Sequence, residues 1–313
     1  MSDVTATSRV LALLTHALRK TSDARRQPGA LAWLTPAETA EAELLRRTRG
    51  IERLLLPLMS FAPLRALALA WVDQRVPDTS RHLLWRKLWF YRYASRFLAD
   101  SGQVLCLGSG LDALGFRLAR QFPDSQIVEV DRLGVVELKR EWAAATHAGV
   151  TNLRFVAADI GDAGFDPRGL CLRRDRRTLV LAEGLVMYLQ KSEVEDLCSR
   201  LLGWFTDSLE LAFSCLDGDR LRDRRSPIAR LDMALRKRRQ GEQFRWAMNP
   251  DRATSWLAGM GLTSRRIETS VACCNTSYGE FIATASHRPV RTNTIPACPA
   301  TRPGDSRSAL LSS

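Results

Sequence analysis

VLCLGSGLDALGFRLARQFPDSQIVEVD, residues 104–131, decides the reading of this 313-residue chain. Four apolar residues, Val104–Leu107, run directly into glycine, the pattern of a short buried strand ending in a turn. Leu114, Leu118 and Phe122 then recur at i, i+4 and i+8 on one helical face, and Ile127–Val130 is a second apolar run that closes on Asp131. Gly108, Gly110 and Ala113 stand at the joint in GxGxxA spacing. Glycine there lets the backbone approach a ligand closely, and the helix start offers free N–H donors. Asp131, 23 residues beyond Gly108, occupies the place of a carboxylate that binds ribose hydroxyls.

Outward from this stretch the unit repeats. Val135, Leu138, Trp142 and Ala145 mark a helix, and Leu153–Ala157 and Thr178–Ala182 read as strands. Val194, Leu197, Leu201 and Phe205 mark a further helix before a fifth strand at Leu209–Cys215. Alternation of this kind needs right-handed crossovers and gives an α/β fold with a parallel sheet covered on both faces. Ligands of such sheets sit beyond the carboxyl ends of the strands.

The flanks differ. Residues 31–100 read as a helical cap or lid over a domain spanning 101–286, with 1–30 a flexible N-terminus and 287–313 a disordered tail rich in Pro, Ser, Thr and Arg. The most apolar stretch, Leu54–Trp71, is interrupted by Pro57, Pro63 and Arg65, so it lacks the ~20 clean residues of a spanning helix. It reads as a buried helical pair broken at the prolines, with a membrane-surface contact as the alternative.

Forty-six Lys and Arg against 34 Asp and Glu give a net charge of +12. Residues 219–239, with nine basic and three acidic side chains, and residues 168–177, with five Arg and one Asp, hold most of that excess. A nucleic-acid partner would call for a long basic stripe with interleaved aromatics, which this distribution is not. Seven Cys without metal or disulfide spacing read as reduced thiols of a cytoplasmic protein. Four scattered His give no metal site, and residues 1–9 lack the pattern of a signal peptide.

Charge also separates the possible nucleoside ligands. The second, third and fourth strands lead into Asp131, Asp159 and Glu183, whereas the glycine turn carries no Lys or Arg. Such a ring repels a pyrophosphate and holds a ligand bearing a sulfonium and an α-amino group. S-adenosylmethionine has both cations, with Asp131 at its ribose, Asp159 near its adenine and Glu183 near its amino group.

The stretch 104–131, with EVD at the end of the second strand, and LVLAEGLVMYLQKSEVEDL (179–197) resemble the leucine carboxyl methyltransferase family, including its bacterial polyketide O-methyltransferase branch. RWAMNPDRATSWLAGMGLTSRRI (245–267) resembles the family's late helix and strand. The resemblance covers about residues 82–283; residues 1–80 do not align with the family's N-terminal pattern. It implies a class I methyltransferase fold, Rossmann-like, with a mostly parallel seven-stranded sheet, helices on both faces and a helical N-terminal cap. It further implies that S-adenosylmethionine is held by Gly108, Gly110, Asp131, Asp159 with Ile160, and Glu183. Arg86, with Lys87 as the second choice, would grip the donor carboxylate as the family's basic residue on the helix before the first strand. Tyr188 would lie beside the acceptor pocket, and Asp112 would cap a helix.

An acceptor carboxylate is ionised at neutral pH and needs no general base, so the lack of a His/Asp or Ser/His pair agrees with carboxyl O-methylation. The expected acceptor is a small molecule, with an acidic carrier protein as a possible partner for the basic stretch 219–239. Two other readings use the same glycine turn: an NAD-dependent oxidoreductase, for which no hydride-chemistry dyad is visible, and a non-catalytic nucleoside- or RNA-binding regulator.

Overall fold

The computed structural model describes residues 4–21, 40–146, 150–223, 226–229, 231, 243–274, 276 and 278–287. Its centre is one seven-stranded sheet: β1 (Gln103–Leu107), β2 (Gln126–Asp131), β3 (Leu153–Ala157), β4 (Thr178–Ala182), β5 (Leu209–Leu216), β6 (Thr263–Thr269) and β7 (Glu280–His287). The order is β3-β2-β1-β4-β5-β7-β6. β1 to β5 pair in parallel, and β7 runs antiparallel between β5 and β6. This is the mostly parallel α/β architecture expected from the sequence, with the strand order reversing beside β1, where such sheets open a crevice.

Helices α1 (Ala6–Arg19), α2 (Ala40–Arg46), α3 (Glu52–Ser60), α4 (Ala62–Arg75) and α5 (Thr79–Ala99) precede the sheet. Within it lie α6 (Leu114–Gln121), α7 (Leu133–Thr146), α8 (Lys191–Trp204), α9 (Gly218–Arg222), α10 (Pro250–Gly259) and α11 (Ser270–Cys274). Every residue of β1 and β4 is buried, as a strand covered on both faces must be. Side chains alternate between two cores. Leu105, Leu107, Val128 and Val180 pack with Leu197 and Leu201 of α8, while Val104, Cys106, Ile127 and Leu179 pack with Leu88, Phe90 and Ala94 of α5. A third core joins α1, α2 and α3 to Phe116 of α6 and Trp142 of α7.

Two expectations for the N-terminal region fail. Residues 6–19 are not loose but form α1: Thr5 caps it by accepting from Ser8 N at 3.2 Å, and Leu11, Leu14 and Leu18 dock one face on the α5 core. Leu54–Trp71 does split at its prolines, with Pro57 inside α3 and Pro63 in the first turn of α4, but it is not a buried pair. Only Glu52, Leu56 and Met59 of α3 are buried, and α4 has no buried residue. One face of each helix suffices for docking, and the opposite apolar stripe is left in solvent. The tail beyond residue 287, residues 22–39 and most of 219–239 lie outside the described residues. No helix among the described residues is long and apolar enough to cross a membrane.

Candidate active site

A cavity of about 890 Å³ opens at the carboxyl ends of β1, β2 and β4. Pockets of roughly 300–1,000 Å³ suit a molecule of nucleoside size or larger. Arg86, Lys87, Gly108, Gly110, Asp131, Asp159, Ile160, Glu183 and Tyr188 all line it, so the residues singled out in sequence converge on one space.

The turn after β1 is built by glycine. Gly108 and Gly110 have φ of +63° and +51°, the left-handed region that side chains disfavour. Gly108 N donates to Val130 O at 2.9 Å, and Gly110 N donates to Asp131 Oδ2 at 2.7 Å. Arg132 N donates to Asp131 Oδ1, also at 2.7 Å. Two backbone donors thus fix the Asp131 carboxylate, and each oxygen keeps a lone pair for a ligand hydroxyl. Beneath the turn, Glu129 accepts from Gly115 N at 3.1 Å and from Lys139 Nζ at 2.6 Å, and Lys139 also donates to Ser109 Oγ. A Cβ on Gly115 would stand 2.2 Å from Glu129 Oε1, so only glycine lets the helix start reach that carboxylate. Burial pushes Glu129 up against the opposing pull of Lys139. Asp159 is exposed and accepts from Gly161 N at 3.1 Å, beside buried Ile160.

The opposite wall is a network of charge. Glu183 accepts from Arg86 Nε at 3.1 Å and pairs with Lys87 Nζ at 2.8 Å. Arg86 Nη1 donates to both oxygens of Glu280, at 3.1 and 2.9 Å, and His82 Nε2 meets Glu280 Oε2. Arg86 Nη2 lies 3.5 Å from where a Cβ on Gly184 would stand, and Gly184 itself has φ of +64°. Lys87 donates to Asp112, whose other oxygen accepts from Leu114 N at 2.7 Å. Asp112 therefore steadies the start of α6 and also neutralises a cavity cation.

Burial opposes the charge on Glu280, but Arg86 and His82 outweigh it and hold the carboxyl at about 2. Burial likewise works against Asp112, and Lys87 with Arg117 holds it well below the usual carboxylate range. Arg86 and Lys87 lose solvent, yet their carboxylates raise both above their ordinary values. His82, stacked on Tyr278 at 4.1 Å between centroids, is depressed by burial. Its Nε2 is engaged by Glu280, so it buttresses the Arg86–Glu280 pair.

Sequence reasoning missed His82, Glu280 and α1. His82 and Arg86 lie 198 and 194 residues from Glu280, so no local spacing announces the cluster. Thr5, the cap of α1, and Ser8 and Arg9 within it line the cavity, and Arg9 Nε donates to Glu52 Oε2 at 3.0 Å to hold that helix over it. Their signal was the Leu11, Leu14, Leu18 repeat following a capping threonine. Tyr188 ends the 3-10 turn Val186–Tyr188, its ring 5.6 Å from Phe244.

The site can be set against known proteins. The S-adenosyl-L-methionine-dependent methyltransferase dpfgK of Gibberella zeae is 31% identical over 105 residues, 34% of this chain. That match spans 35% of the relative, about a third of its length. A solved methyltransferase candidate from Thermobifida fusca YX has the same fold, with a TM-score of 0.55 at 17% identity over 73% of this chain and 90% of that one. The family model for leucine carboxyl methyltransferase matches residues 40–202, starting inside the helical cap that the sequence reading left unaligned. Because that match spans more than half of the 313 residues, the chain belongs to the leucine carboxyl methyltransferase family.

Proposed function

We propose that this protein is an S-adenosylmethionine-dependent methyltransferase that methylates a carboxylate oxygen of a small molecule, such as a polyketide-type metabolite. The observation that carries the reading is the charge order around one cavity: Asp131 and Asp159 on one side, and Glu183 paired with Arg86 and Lys87 on the other. The donor set fits that ligand. Paired anion and cation suit a zwitterionic amino-acid end, and free lone pairs on Asp131 suit ribose hydroxyls.

When bound, S-adenosylmethionine supplies a methyl group already activated by a sulfonium. The chain's own part is to bind and orient. Asp131 accepts ribose hydroxyls, Glu183 accepts from the α-ammonium, and Arg86 or Lys87 pairs with the donor carboxylate. Positioning and exclusion of water then provide the rate, with no proton to remove from an ionised acceptor. On the acceptor side, Tyr188 and Arg245 line the same cavity, with Arg245 N donating to Met187 O at 2.8 Å. Arg245, whose guanidinium also lies 3.6 Å from Glu193, brings a cation to that cavity, which suits an anionic acceptor. The basic stretch 219–239, whose first residues belong to α9, would suit an acidic carrier that presents it.

The test is parallel calorimetric titration with S-adenosylmethionine, S-adenosylhomocysteine and NAD(H), followed by methyl-transfer assays on carboxylic acids and phenols. Binding of both sulfur nucleosides without an NAD(H) signal, and turnover of carboxylic acids, is the expected result. Binding of NAD(H) alone would overturn the donor assignment. Turnover of phenols alone would overturn the acceptor class.

A further inference from the structure

α3 and α4 present an apolar stripe to solvent that the catalytic reading does not use. Leu54, Phe61, Leu67 and Trp71 are 65%, 59%, 67% and 53% exposed. Leu58 and Leu64 continue the stripe on either side of the Phe61 junction. Scattered exposed apolar residues are ordinary, but a continuous row on two consecutive helices marks an interaction face.

The surrounding charge says what it meets. Between residues 46 and 76 there are six arginines and two acids. Both acids are engaged: Glu52 with Arg9, and Asp73 with the backbone N of Ser80. Arg46, Arg47, Arg49, Arg53 and Arg75 are exposed. Arg75 Cζ stands 3.6 Å from the Trp71 ring centroid, placing a guanidinium on an indole at the edge of the stripe. An isologous pairing of two copies through this face would oppose one arginine set to the other. An anionic lipid surface instead accepts both features, apolar side chains below the headgroups and arginines among them.

The face is also rigidly held. Arg65 donates to Met59 O at 3.0 Å and to Lys20 O at 3.3 Å, locking the α3–α4 junction onto the end of α1. Leu55, Ala68 and Leu69 pack inward on the cap core.

We propose that α3 and α4 are a docking face for an anionic membrane surface, on which the two helices lie flat with the Leu54–Trp71 stripe in the headgroup layer.

Sedimentation of the full chain with vesicles of phosphatidylcholine, alone or mixed with phosphatidylglycerol, tests this. Binding to the mixed vesicles, weakened by salt, is expected, with little binding to phosphatidylcholine alone. Leu67→Ser with Trp71→Ser should weaken it about tenfold or more, and Arg49→Gln with Arg53→Gln should do so by about tenfold. S-adenosylhomocysteine affinity and Tm should be unchanged in both double variants. Four results would each overturn the proposal: no binding to either vesicle, equal binding to both, a dimer in sedimentation velocity that Leu67→Ser abolishes, or a fall in Tm of the apolar variant. The third assigns the face to a second copy, and the fourth to a segment of this chain.

Discussion

Two neighbouring clusters of buried charge, coupled through Asp112, are built on opposite terms. In the first, Glu41 of α2 accepts from Arg19 of α1 at 2.9 Å and from Arg117 of α6, and all three side chains are 2% exposed or less. In the second, Arg86, Lys87, Glu183 and Asp112 form the cavity wall, and each keeps roughly a tenth of its side chain in solvent. The first cluster borders the same cavity through Glu41, but its charges are almost fully desolvated and chiefly satisfy each other and the three helices they join. The cavity cluster is desolvated enough to be strong and open enough for a ligand's charges to enter. Asp112 links them: Arg117 helps to hold it ionised while it pairs with Lys87. The difference separates charge that organises the cap from charge that is placed where the proposed ligand would meet it.

The largest expected effect breaks the sealed cluster. Glu41→Gln leaves two buried guanidiniums facing each other, and removing one partner of a buried ion pair costs about 3–5 kcal/mol. Chemical denaturation should show that loss. A loss below about 1 kcal/mol would mean that water reaches the cluster and that the contrast with the cavity is false.

Acid should open the cavity wall next. The Glu280 carboxyl ionises at about 2 in the folded protein against an ordinary 4.5, so the unfolded chain binds the extra proton first as pH falls. Its contribution is complete above pH 4.5 and disappears toward pH 2. The shift corresponds to about 3 kcal/mol as an order of magnitude. His82, depressed from 6.5 by burial, acts in the same direction, because the unfolded chain again takes up its proton more readily. Stability measured against pH should therefore fall on the acid side, and Glu280→Gln should flatten that slope. An unchanged slope in the variant would remove Glu280 from the wall's energetics.

The contrast between the clusters also explains what could be read in advance. The glycine turn, Asp131, Asp159 and Glu183 were legible because each sits at the end of a short apolar run, and strand, turn and helix are local patterns. Arg86 was found by resemblance, but its second carboxylate, Glu280, was not, since β7 returns to the site from the far end of the chain. Glu41 has no local pattern that marks it as buried, and only tertiary packing buries it. α1 was misread because polar residues interrupt its apolar face. The stripe on α3 and α4 misled in the opposite sense: apolar periodicity reports a face that avoids water or meets a partner, and the sequence alone does not distinguish the two.

A sharper test uses the open cluster alone. In the proposed donor site, Glu183→Gln would remove a charge-assisted partner of the donor's ammonium, and Asp131→Ala would remove the acceptor for ribose hydroxyls. Hydrogen bonds to charged groups contribute about 1.5–3 kcal/mol, so each should weaken S-adenosylhomocysteine binding about 10- to 100-fold in calorimetry. Both variants should stay folded, since neither group is sealed. Undiminished affinity in both would sink the donor assignment, whatever Glu41→Gln had shown.

The smallest expected effect distinguishes the two ends of the cavity. Tyr188→Phe keeps the ring against Phe244 and removes only the hydroxyl, so packing is preserved. If that hydroxyl faces the acceptor, the acceptor KM should rise by up to about tenfold, the value of one ordinary hydrogen bond. Donor affinity should not move, because the change leaves the carboxylates of Asp131, at the end of β2, and of Glu183, directly after β4, in place. A loss of donor affinity with unchanged acceptor KM would place Tyr188 on the donor side. It would then shift the acceptor toward α1, where Thr5, Ser8 and Arg9 line the same space.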